Sequence, residues 1–148
     1  MATVTAYLSC DGAADALAWY SKAFDAKELY RLEMPGGNVG HAEFMIGDTR
    51  LMLADEWPEG DILSPKKRGG ATTSFGIEVG STDELDSLWA QATGAGATVE
   101  REIADQFYGH RSGTLIDPFG HRWTITTQTE EVSPDEMKRR MEQEFGPS

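Results

Sequence analysis

The stretch Asp105–Thr127, DQFYGHRSGTLIDPFGHRWTITT, decides the fold. It reads as an aromatic-basic loop, a strand, a tight turn and a second strand. In Asp117-Pro118-Phe119-Gly120 the Asp can bond back to the turn backbone and Pro presets φ at the second position. Gly then takes the left-handed conformation that closes the hairpin. Beyond the turn, His121–Thr126 alternates polar with apolar residues, the period-two signature of a half-buried strand. Trp123 falls with Ile125 on the apolar side, which assigns it to the core. His121 belongs to the turn and reads as structural.

Upstream, the same order of elements appears twice. Thr3–Ser9 alternates as a strand, and Ala13, Leu17, Tyr20 and Phe24 then recur at helical spacing. Glu28–Glu33, Val39–Ile46 and Arg50–Ala54 supply three more strands, separated by Pro35-Gly36-Gly37 and Gly47-Asp48. In the second copy, Thr72–Val79 alternates, and Ser81 or Thr82 can cap a helix that ends near Gly94-Ala95-Gly96. Thr98–Ile103, Thr114–Ile116 and His121–Thr126 complete it. The chain is expected to be one domain of two βαβββ modules, 3–56 and 72–128, offset by roughly 70 residues, an internal duplication seen in pattern. Residues 57–71 read as a linker and 129–148 as a tail. In that tail Ser133-Pro134-Asp135-Glu136 is a capping box that starts a helix carrying Met137, Met141 and Phe145 on one side. The fold class is α+β, a curved mixed sheet that encloses a cleft, with a C-terminal helix.

Composition narrows the partners. The chain has 148 residues, 25 acidic against 13 basic, and a net charge of -12. Such a balance disfavours nucleic acid, whose phosphates need a basic surface. No apolar run approaches the roughly 18 residues of a membrane span. The start, MATVTAYLSC, has no basic region followed by a long apolar one, and a lone cysteine, Cys10, cannot form an internal disulfide. A cytoplasmic location with a buried, inert thiol is the expectation.

The two modules, the helix segment Ala18-Trp19-Tyr20-Ser21-Lys22-Ala23-Phe24 and the turn Asp117-Pro118-Phe119-Gly120-His121 resemble the vicinal oxygen chelate superfamily. That group includes glyoxalase I, extradiol dioxygenases and the fosfomycin- and bleomycin-resistance proteins. His41-Ala42-Glu43, Phe107-Tyr108-Gly109-His110-Arg111, Gly113-Thr114 and Trp123 are similar to its PhnB-like branch, as is Val132-Ser133-Pro134-Asp135-Glu136-Met137. The resemblance covers about residues 3–128 and implies a fold that hosts several chemistries. In its metal-using members four ligands, usually His and Glu, come from the first, fourth, fifth and eighth strands. Here those positions fall near Thr5, Met52, Ser74 and Thr124. Hydroxyl and thioether groups do not replace the ligands that Zn, Ni, Fe or Mn require there. No cofactor is therefore expected, a divalent metal could bind only at a non-standard site, and glyoxalase I activity is not expected. The resemblance also implies a homodimer.

The alternation sets the candidate site. Tyr7, His41, Glu43, Arg122 and Thr124 share the predicted cleft face, and Tyr108, His110 and Arg111 border it. All eight are candidate ligand-binding residues. Tyr108-Gly109-His110-Arg111 could grip a planar or anionic molecule by stacking and a bidentate Arg contact. Equally, Arg111 could pair with Asp105 or Asp117. His41, Glu43 and His110, with Glu78 nearby, are the candidate acid/base or relocated metal set. His41 is the foremost of them, since an imidazole can donate, accept or titrate near neutral pH. The leading expectation is a protein that binds a small organic molecule without a metal. The alternative is a lyase, isomerase or dioxygenase using His41, Glu43 and His110.

Overall fold

The computed structural model describes residues 1–147. Its strands are β1 (Tyr7–Cys10), β2 (Lys27–Glu33), β3 (Val39–Ile46), β4 (Thr49–Asp55), β5 (Ser74–Glu78), β6 (Thr98–Asp105), β7 (His110–Ile116) and β8 (Arg122–Gln128). Its helices are α1 (Ala13–Phe24), α2 (Pro65–Arg68), α3 (Thr82–Gly94) and α4 (Pro134–Phe145), with a 3-10 turn at Pro58–Gly60. They form two four-stranded mixed sheets of matching order, β1-β4-β3-β2 and β5-β8-β7-β6. In each sheet the first and last strands of the module run parallel and the other neighbours antiparallel.

Three expectations change. The first strand is shorter than Thr3–Ser9 and begins at Tyr7, although the Ala6 carbonyl still accepts from the Met52 amide. Residues 57–71 are not featureless: Pro58 and Pro65 each open a helical turn, where a missing N–H costs nothing. Lys67 and Arg68 of the basic triplet are paired with Glu56 and Asp61. The seventh strand runs His110–Ile116 rather than Thr114–Ile116. Ser112 and Gly113 looked like loop, but Gly113 lies under α3. A Cβ there would sit 2.5 Å from the Trp89 ring, so only glycine lets helix and sheet close to this distance.

One core joins both modules. Tyr20, Phe24, Phe44, Phe75 and Trp123 pack ring against ring, with Tyr20 and Phe44 stacked at 5.5 Å. Trp123 is 2% exposed, the core position its alternation indicated. Each such ring removed from water contributes about 1.5–3 kcal/mol. Trp19 donates to the Ala95 carbonyl and Gln91 to that of Lys22, which ties α1 to α3. His121 donates through Nε2 to the Ser9 carbonyl, a structural role as expected of a turn residue.

Asp117 is the buried hub of this junction. Its Oδ2 accepts from the Tyr20 hydroxyl at 2.5 Å and the Trp123 indole at 2.8 Å. Its Oδ1 accepts from the amides of Phe119 and His121. Burial, then the charge of Asp117, pushes the Tyr20 phenol well above its ordinary pKa. Burial likewise pushes the Cys10 thiol up, as an inert thiol requires.

The two helices start differently. Ser81 caps α3 by accepting from the Glu84 amide, and Glu84 returns a bond to the Gly80 amide. At α1 the cap position is Gly12, which has no side chain to offer. Asp55, at the end of β4, supplies the acceptor instead, taking the amides of Gly12 at 3.1 Å and Ala13 at 2.8 Å. Its other oxygen takes the amide of Val39.

Candidate functional site

The exposed face of the first sheet carries the most organised polar group. Strand register places Tyr7, Met52, Glu43 and Tyr30 in one cross-strand row, with His41 and Leu32 opposite each other in the next. The Tyr7 hydroxyl lies 2.7 Å from His41 Nδ1, and His41 Nε2 lies 3.0 Å from Glu43 Oε2. Tyr30 donates to the same Glu43 oxygen at 2.7 Å, and Arg50 Nη1 to the other at 2.6 Å.

These partners set the proton positions. Bonds from His41, Tyr30 and Arg50, in that order, lower the Glu43 carboxyl to about 2. At neutral pH it is an acceptor only, so His41 donates from Nε2. A neutral imidazole that donates from Nε2 accepts at Nδ1, so the Tyr7 hydroxyl donates to it. Desolvation, then the Glu43 charge, raises the Tyr7 pKa, which keeps that phenol protonated. The result is a directed chain, Tyr7 to His41 to Glu43. Its surround is apolar and open: Tyr7 is 50%, Tyr30 43% and Leu32 59% exposed.

Tyr7, His41 and Glu43 are therefore brought together, while the other candidates stand apart. Among the described residues no hydrogen bond or ion pair joins them to Tyr108, His110, Arg111, Arg122 or Thr124. Because β7 begins at His110, alternation sends His110 and Arg111 to opposite faces. Tyr108–Arg111 does not form one grip. Arg111 pairs with Asp105 at 3.3 Å, the plainer of its two readings. Arg122 pairs with Glu100 through two nitrogens, and Thr124 bonds Thr114. His110 packs on Tyr108, with Nδ1 buried and without a partner. Glu78 lies on β5, away from His41. The residues expected on the cleft face are thus distributed over two four-stranded sheets and are not joined in one network.

Two members of the network were not read from the sequence. Arg50 shares the face of Met52 by simple alternation, so its signal was present. Tyr30 reaches Glu43 only because a register shift between Glu28 and Tyr30 turns it to that side, which nothing in the sequence marks.

Of the four positions that correspond to metal ligands in the resembling family, Ser74 is exposed and Thr124 is engaged with Thr114. Thr5 and Met52 offer a hydroxyl and a thioether. This donor set does not fit a divalent metal. Among the described residues no group of three His, Cys, Asp or Glu side chains is placed to hold one. A cavity of about 940 Å³ lies between the modules and shares Arg50 with the network. No helix among the described residues is long and apolar enough to cross a membrane.

Comparison with known proteins agrees with this architecture. The chain is 37% identical over 138 residues to the uncharacterized protein Mb0911c of Mycobacterium bovis, covering 91% of this chain and 89% of that one. Among solved structures, protein PA1353 of Pseudomonas aeruginosa superposes with a TM-score of 0.71 at 21% identity, covering 88% of this chain and all of its own length. The PhnB protein of Bacillus cereus superposes with a TM-score of 0.65 at 19% identity, covering 85% and 99%. These two show the fold. Residues 3–125 match the family model of the glyoxalase/bleomycin resistance protein/dioxygenase superfamily, and the chain belongs to that superfamily.

Proposed function

We propose that this protein binds a small organic molecule on the open face of its first sheet, without a metal. The observation that carries this reading is the Tyr7–His41–Glu43 chain, a pre-arranged polar anchor beside the exposed Tyr30 and Leu32 and the half-buried Met52. Few polar groups in an apolar setting are the usual recipe for orienting a small ligand. With its proton engaged by His41, the Tyr7 oxygen suits ligand O–H and N–H donors, and the flanking rings suit a planar body. A thermal-shift panel of small phenols and aromatic amides tests this on wild type, Tyr7→Phe and His41→Ala. At least one compound should raise the Tm of wild type and leave both variants unmoved. Equal shifts in all three would remove these residues from the site.

The direction of the chain favours a second reading, a metal-free acid/base enzyme of the lyase or isomerase type. His41 is placed to take the Tyr7 proton, with Glu43 stabilising the imidazolium. This reading rests on Tyr7 rather than on His110, which the fold puts on the other sheet. For any compound that binds wild type, loss of C–H signal in D2O would show proton transfer, and no loss at saturating compound would exclude this second reading. We further propose a homodimer, supported by the exposed Leu32 and Met34 beside the site and the exposed Met141 and Phe145 on α4. Sedimentation at tens of micromolar, an order-of-magnitude choice for such interfaces, should give twice the chain mass. A monomer there would refute it.

A further inference from the structure

Between the modules, bordered by Arg50 and Met45, lies the cavity of about 940 Å³. That volume is within the range of about 300–1,000 Å³ for small-molecule sites. Its floor is apolar, formed by Phe24, Phe75, Ile77 and Leu88. The side chains of the last three are only partly buried, so this surface still faces solvent. One wall is β5, the edge strand of its sheet, whose outer backbone groups have no strand partner.

The charge around the opening is lopsided. Asp25, Asp48, Glu78 and Glu84 line it, against Lys27 and Arg50. The Arg50 charge is already taken by Glu43. Asp25 accepts from Gln91, and Glu84 from the Gly80 amide. Asp48 and Glu78 form no ion pair among the described residues. An anion entering here would meet uncompensated carboxylates in a chain of net charge -12, whereas a cation would be drawn in. Free carbonyls on the β5 edge add acceptors for its N–H groups.

We propose that the cavity between the modules binds an organic cation with a flat apolar body that lies across the β5 edge, the body against Phe24, Phe75, Ile77 and Leu88 and the charge toward Asp48 and toward Glu78, which alternation places with Gly76 on the other side of that strand. Its lining includes Arg50 but none of Tyr7, His41 and Glu43, so the proposal does not rest on ligand binding at those three residues.

The test uses the full chain with proflavine as the cationic probe and anilinonaphthalene sulfonate as an anionic one of similar size, read by fluorescence at low salt. Proflavine should bind saturably at one per chain and at least about ten-fold tighter than the sulfonate. Glu78→Gln and Asp48→Asn should each weaken it about two- to five-fold and together about ten-fold, as partly exposed charge pairs do. Gly76→Phe gives a steric test. Gly76 lines the cavity, and a Cβ there meets nothing within 4 Å, so a large side chain can fill the space without backbone strain. It should abolish proflavine binding while the melting curve stays cooperative, and His41→Ala should change nothing. Equal affinity for both dyes, or charge variants that bind as wild type does, would overturn the proposal. So would binding that survives in a folded Gly76→Phe protein, or that falls as the protein dimerises, which would mean that a second copy covers the cavity.

Discussion

Asp117 accepts four hydrogen bonds, two of them from side chains and two from backbone amides. Asp117→Ala strands a buried phenol, an indole and two amides, so a loss of about 3–5 kcal/mol is expected in urea unfolding. Asp117→Asn should fare little better, because an amide cannot accept at both ends. Tyr20→Phe removes a single donor and should cost about 1–2 kcal/mol. Glu43 makes a prediction about pH. Its folded pKa of about 2 lies below the ordinary 4.5. The stability it contributes is therefore full above about 4.5 and is lost as pH falls toward 2. Wild type and Glu43→Gln should differ in melting temperature at pH 6 and converge near pH 2, a range bracketing those two values. Single residues also show where reading the sequence stopped. Trp123 declared its buried side by alternation alone. Tyr30 did not declare its bond to Glu43, since an added residue in β2 reverses the parity on which alternation depends.

The seventh strand carries the lesson for elements. His110-Arg111-Ser112-Gly113 has weak strand preference and a glycine, the composition of a loop, yet it pairs with β8 throughout. The reason is tertiary: Gly113 is where α3 lays Trp89 on the sheet, and packing outweighs local preference. Gly113→Ala should overpack this contact and destabilise by about 1–3 kcal/mol. Trp89→Leu in the same chain should recover part of that loss, and a double-mutant cycle measured by chemical denaturation would report the coupling. Helix termini were easier to read, because Ser81 and Ser133 announce their caps locally. The consequence of the lengthened strand was harder to foresee. Adding four residues to β7 separated His110 from Arg111 and dissolved a binding loop that composition had suggested.

At the scale of the molecule, the duplicated βαβββ order was legible because hydrophobic periodicity is a local property repeated along the chain. How the copies meet was not, because it depends on pairs such as Tyr20 with Asp117 and His121 with Ser9, 97 and 112 residues apart. These bonds and the shared core predict that the modules unfold together. Near- and far-ultraviolet circular dichroism should give coincident transitions. Residues 1–71 and 72–148 expressed separately should lack fixed tertiary structure and regain it when mixed. The start of α1 adds a matter of timing. Its amides at Gly12 and Ala13 wait for a carboxylate 42 or 43 residues later in the chain. During synthesis, then, α1 is completed only after Asp55 has left the ribosome, whereas α3 carries its own cap and can form as soon as it appears. Measured from its own emergence, α1 waits for its acceptor and α3 does not.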